Sequence, residues 1–140
     1  MKYRLSSCPD PHWDDVIKLM RQHKNHMYMA VEDGIVKGEF MLEAFTGKAA
    51  QIHFSMQPGL PYKDTLRICR SACDAVLGQW KDTNGDRFLH SLYANIAVSN
   101  RASCLTALKS GFKKLGMLPS GMYIARHNRH EDGTLLVRTL

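Results

Sequence analysis

The chain has 140 residues, of which 44% are hydrophobic and 23% charged, with a formal net charge of +6. That length suits one domain with a buried core, and that composition excludes a disordered chain. No apolar run reaches the about 18 residues of a membrane helix, and no apolar h-region follows the basic N-terminus, so a single cytoplasmic domain over residues 1–140 is expected.

Tyr3 to Ser6 alternates and predicts a short strand, which Pro9, Asp10 and Pro11 end. Trp13, Val16, Ile17 and Met20 recur at helical spacing, so Pro11 to about Gln22 predicts an amphipathic helix with proline in its first turn. Met27 to Val31 and Ile35 to Phe45 predict two strands joined by the hairpin signal Glu32-Asp33-Gly34. After the turn Thr46-Gly47-Lys48, Ala49 to Met56 completes an antiparallel meander. Pro58-Gly59-Leu60-Pro61 stops it. Asp64 or Thr65 then caps a helix running to about Trp80, with Leu66, Cys69, Cys73, Val76, Leu77 and Trp80 as its apolar set. Phe88 to Val98 reads as a strand and Ala102 to Ser110 as a helix with Gly111 at C′. Met117 to His127 and Thr134 to Leu140 read as closing strands, joined by the turn Glu131-Asp132-Gly133. The order β-α-β-β-β-α-β-α-β-β predicts an α/β mixed sheet with helices on its faces.

None of the four cysteines, Cys8, Cys69, Cys73 and Cys104, forms a C-x-x-C pair. Cys69 and Cys73 share a helix face, and reduced thiols without a metal are expected. The positive charge is spread out. Its densest stretch, Arg126 to His130, runs straight into Glu131 and Asp132, so nucleic-acid binding is a minor reading. Met27, Met29, Met41 and Met56 are expected to fill gaps in the core.

The segment Ser99-Asn100-Arg101-Ala102-Ser103, continuing through Gly111-Phe112, resembles the GNAT (Gcn5-related N-acetyltransferase) superfamily, as does the element order. That family has an Asn after the fifth strand, a short helix and then Gly-Phe. Ser103, three residues after Asn100, is similar to the branch that acetylates ribosomal-protein N-termini. The resemblance implies acyl transfer from acetyl-CoA to an amine, in a cleft where the fourth and fifth strands splay. It places pantetheine along Phe54, Ser55, Met56 and Gln57, and the pyrophosphate on the following loop and helix start. Asn100 and Lys109 join the expected cofactor contacts.

Two departures from the family stand out. Its loop is Gln/Arg-x-x-Gly-x-Gly/Ala, whereas this chain reads Leu60-Pro61-Tyr62-Lys63-Asp64-Thr65. Tyr62 brings bulk where backbone meets phosphate. Asp64, as an N-cap, would occupy the amides that phosphate needs, while Lys63, Arg67 and Arg70 offset its charge. The tyrosine that many members carry seven residues after the Asn is Ala107 here, which leaves Ser103 as the acid. Ser103 is equally read as a first-turn serine, and Asn100 as a plain helix cap. His53 is the candidate base, with Glu39 and Glu43 facing the same side of the neighbouring strand, though all three also suit a solvated strand. Tyr93 is a candidate for the acceptor side of the cleft.

Two functions remain in competition. One is an acetyl-CoA-dependent N-acyltransferase on a protein N-terminus, lysine or small amine. The other is a non-catalytic GNAT-fold binding or assembly protein with a protein partner, similar in style to those of some tailed bacteriophages.

Overall fold

A computed structural model of the protein describes residues 2–5 and 26–140. The helix expected over Pro11 to Gln22, and Cys8 before it, lie outside the described residues. Seven strands form one sheet: β1 (Lys2–Leu5), β2 (His26–Glu32), β3 (Ile35–Thr46), β4 (Ala49–Met56), β5 (Ser91–Ala97), β6 (Lys113–Ile124) and β7 (Arg129–Thr139). Their order across the sheet is β1-β2-β3-β4-β5-β7-β6, and only the β4–β5 contact is parallel.

The meander follows from alternation and turn chemistry. Asp33 and Gly34 both take positive φ (53° and 75°), as a tight two-residue hairpin requires. Tyr28, Ala30, Phe40, Leu42, Ala50 and Ile52 are buried, while their sequence neighbours Met41, Gln51 and His53 are half-exposed. Against the buried face packs α1 (Tyr62–Asp74), through Ile68, Cys69, Ala72 and Cys73. One π-helical stretch, Ala75–Gln79, extends α1 and buries Val76 and Leu77. The chain then turns extended at Trp80, whose ring sits 5.0 Å from Tyr28 and 6.4 Å from Phe40.

Several boundaries differ from expectation, strand β6 starting at Lys113 rather than Met117 among them. Helix α1 starts at Tyr62 on an N-cap of Pro61, with no side-chain cap, so Asp64 lies inside the helix. Strand β5 starts at Ser91 rather than Phe88, because the preceding segment is spent on a loop. There Asp82 accepts the amides of Asn84 (2.8 Å) and Asp86 (3.1 Å) and the Lys48 ammonium (3.1 Å). The closing hairpin turns at Ala125–His127 and Asn128 rather than at Glu131-Asp132-Gly133. Asn128 adopts the left-handed conformation (φ 46°, ψ 48°) that short polar side chains tolerate. Glu131, Asp132 and Gly133 lie within β7, where a Cβ on Gly133 would come 2.0 Å from Asn95 Oδ1. That glycine serves close packing, not a turn.

Helix α2 (Arg101–Lys109) lies between β5 and β6. Asn100 Oδ1 accepts the Ser103 amide at 3.2 Å and caps its start. Its end is a Schellman motif. The Gly111 amide reaches Leu108 O (3.2 Å), the Phe112 amide reaches Ala107 O (3.0 Å), and Gly111 takes φ 98°. Phe112 is thereby driven into the core, with Ala107 packed against it.

Candidate functional site

Strands β4 and β5 pair at Ala49–Ser91, Ala50–Leu92 and Gln51–Tyr93, and then part. Beyond that point β4 remains paired to β3 as far as Met56, and β5 to β7 as far as Ala97. The facing edges, from Ile52 and from Ala94 onward, therefore have no ladder partner in each other. A cleft of about 930 Å³ opens there, a volume suited to a sizeable ligand. Its walls come from β4 (Ile52, His53, Phe54, Met56), β5 (Ala94, Asn95, Ile96, Ala97), α1 (Thr65, Cys69), α2 (Ser103, Thr106, Ala107) and the β6–β7 hairpin (Arg126, Arg129).

Among the residues expected from sequence, His53, Phe54, Met56, Thr65, Asn100 and Ser103 all line the cleft. Met56 thus belongs to the cleft rather than the core, at the end of β4 beyond the last β4–β5 pair, and Met27, on the opposite face from the buried Tyr28, is 37% exposed. Ser55 is exposed opposite Glu39, and neither lines the cleft. Glu43 stays outside the wall but carries His53: its Oε1 is 2.6 Å from His53 Nε2. The pair is diagonal across the β3–β4 ladder, since His53 stands opposite Met41 and Glu43 opposite Gln51. Tyr93 is absent from the cleft wall. Its hydroxyl donates to Ala44 O (2.9 Å) and so ties down the β3 bulge, where Ala44 has φ 50°. Burial, then the nearby Glu43 charge, pushes the Tyr93 phenol above its ordinary range.

The α1 start departs from expectation in a specific way. Asp64 does not cap the helix; its Oδ1 makes a long 3.5 Å contact with Arg67 instead. The Asp64 and Thr65 amides both bond to Pro61 O, at 2.9 and 3.1 Å. The Tyr62 and Lys63 amides have no partner among the described residues. Two of the three cations expected to offset Asp64 have other partners: Arg67 grips Glu32 with both nitrogens (2.6 and 3.0 Å) beside its long contact to Asp64, and Arg70 donates to Lys109 O (2.8 Å). Lys63 is left at the helix start. Tyr62 leans across to α2, its hydroxyl 3.2 Å from Thr106 Oγ1, with the Lys109 ammonium 5.5 Å above its ring.

Several cleft residues escaped sequence reasoning, among them Asn95, Ser110 and Arg129. Ser110 is 2% exposed and lines the cleft, and its Oγ has no hydrogen-bond partner among the described residues. An orphaned buried hydroxyl is costly, and a ligand group would satisfy it. A signal was present: Ser103, Thr106 and Ser110 recur at three and four residues, one face of a helix. Cys69 and Cys73 are free thiols kept protonated, burial pushing them up to about 12 and about 11. Neither is a thiolate nucleophile. Among the described residues no three His, Cys, Asp or Glu converge as a metal group, and no helix is long and apolar enough to cross a membrane.

No family model and no curated protein matches the sequence. Solved structures match the fold. A chimera of the Vibrio cholerae spermidine N-acetyltransferase SpeG and hSSAT superposes with TM-score 0.70 at 16% identity, over 87% of this chain and 73% of that one. The ribosomal-protein-S5-alanine acetyltransferase of Vibrio fischeri gives TM-score 0.67 at 18% identity, over 89% of this chain and 66% of that one. The chain has the GNAT fold that these acetyltransferases share.

Proposed function

We propose that this chain is an acetyl-CoA-dependent N-acyltransferase acting on an amine. Fold alone does not license an activity. The observation that carries the reading is the parting of β4 from β5 after Gln51–Tyr93, which opens a ligand-sized cleft beside a histidine–carboxylate pair.

Acetyl-CoA, when bound, supplies an acetyl thioester. The residues present fit it. The unpaired edge of Ile52–Met56 offers backbone groups to an amide-bearing arm, and the Ser110 hydroxyl waits for a partner. The Tyr62 and Lys63 amides, with the Lys63 and Lys109 ammonium groups, suit a diphosphate at a helix start. His53 holds the base role. With Nε2–H donating a hydrogen bond to Glu43, the Nδ1 lone pair is left to take a proton from the attacking amine. Ser103 presents its hydroxyl in the cleft, its amide already taken by Asn100, and donates a proton to the departing sulfur.

The test is turnover. The protein, acetyl-CoA and peptides with free N-termini should give acetylated product by mass spectrometry. His53→Ala should slow that product by about 10²–10⁴-fold. Wild-type rates in His53→Ala would remove His53 as base, and no product from any amine would remove the activity. One observation favours a second reading, a non-catalytic binding module: Tyr62 bridges to Thr106 at the helix start where the family has glycine. A protein partner retained by both His53→Ala and Ser103→Ala, with no turnover, would support it.

A further inference from the structure

The hairpin that joins β6 to β7 forms one wall of the cleft. Arg126, His127, Arg129 and Glu131 all line the cleft. Glu131 is the only carboxylate among its described lining residues, and it is committed. Its Oε1 accepts the Ser99 amide at 3.2 Å and its Oε2 meets Arg129 Nη2 at 3.4 Å. Its side chain is 11% exposed, and the hydrogen bonds from Ser99 hold its carboxyl below the usual range, so it stays ionised. Arg126 has no ion-pair partner among the described residues and stands exposed at the cleft wall. Two guanidinium groups against one already paired carboxylate leave this wall at +1 with His127 neutral, and higher when His127 is protonated.

A polyamine acceptor would bring further ammonium groups to that wall, where no carboxylate is free to meet them. An acceptor with a carboxylate of its own would meet Arg126 in a charge-assisted hydrogen bond instead. We propose that the acceptor is an amine whose own molecule carries a carboxylate, recognised by Arg126 with Arg129 behind it. The proposal rests on the acyl-transfer reading and assigns its substrate class. It also fits the net charge of +6, which draws anionic molecules to the cleft and weakens as salt screens it.

The experiment keeps the two claims apart. Calorimetry first asks whether the wild-type chain binds acetyl-CoA. Acetyl transfer is then compared among the C-terminally amidated peptides Ala-Asp-Asp and Ala-Lys-Lys, free glutamate and spermidine, for the wild type and for Arg126→Glu. Thermal melting confirms that the variant is folded. The expected result is acetyl-CoA heat, a wild-type kcat/KM for at least one carboxylate-bearing amine that exceeds Ala-Lys-Lys and spermidine by roughly tenfold to a hundredfold, and loss or inversion of that preference in Arg126→Glu. Ala-Asp-Asp against glutamate separates a peptide from a free amino acid as the source. Equal rates, a preference for the cationic amines, no product despite bound acetyl-CoA, or an unchanged preference in Arg126→Glu would each overturn the proposal. Absence of acetyl-CoA heat in the wild type would sink the acyl-transfer reading, and this one with it.

Discussion

Ser110 is buried at the cleft wall with its hydroxyl unpartnered among the described residues. A serine at 2% exposure loses its hydration, and here its hydroxyl gains no bond among the described residues. Ser110→Ala removes that orphan, so the melting temperature should hold or rise slightly while acetyl-CoA affinity falls by roughly tenfold or less. Calorimetry beside a thermal melt separates the two effects. A drop in stability with affinity intact would assign the hydroxyl to the fold instead. Sequence could supply Asn100, Ser103 and His53, because a resemblance or a titration range points at them. It carried no measure of depth, and depth alone distinguishes Ser110 from Ser103. The same gap misplaced Tyr93, whose hydroxyl is occupied by Ala44 O. Asp64 was misplaced for a backbone reason. Pro61 starts the helix a turn earlier than the acidic residue suggests, which turns Asp64 toward Arg67.

At the scale of elements, the meander was legible because alternation and turn chemistry agree. Phe40, Leu42, Ala50 and Ile52 mark one face, and Asp33-Gly34 marks the hairpin. The closing hairpin was not, because Gly133 mimics a turn signal while its real constraint is Asn95 on the neighbouring strand. A Cβ at Gly133 must displace that amide, so Gly133→Ala should cost about 1–3 kcal/mol in denaturant unfolding and distort the cleft wall at Asn95. An unchanged unfolding midpoint would show that Asn95 gives way freely. Leu77, fully buried where α1 widens, reports on the core alone. Leu77→Ala should cost about 2–5 kcal/mol. The splay itself was foreseen through the family resemblance, since nothing in the alternation of β4 or β5 announces where two parallel neighbours separate.

At the scale of the whole molecule, three carboxylates among the described residues are held below their usual range and tie distant segments together. Hydrogen bonds from Arg67 hold Glu32 below its usual range, linking β2 to α1. Asp82, although desolvation pushes it up, is held down by Lys48 and two amides, linking the loop before β5 to the β3–β4 turn. Hydrogen bonds from Ser99 lower Glu131, linking β7 to the end of β5. Each folded pKa lies below its unfolded value, so each tie contributes stability above the unfolded carboxylate range and loses it as pH falls. Stability should therefore be level near neutrality and decline below about pH 4. Melting temperature against pH checks this, and a decline that begins near pH 6 would point to the histidines instead.

The account turns on whether the space between β4 and β5 holds the thioester. A crystal structure of the protein soaked with acetyl-CoA tests that directly. The account predicts the pantetheine arm along Ile52–Met56, a hydrogen bond to Ser110 Oγ, and the diphosphate at the amides of Tyr62 and Lys63. An empty cleft at saturating ligand, or a diphosphate bound away from the start of α1, would contradict it.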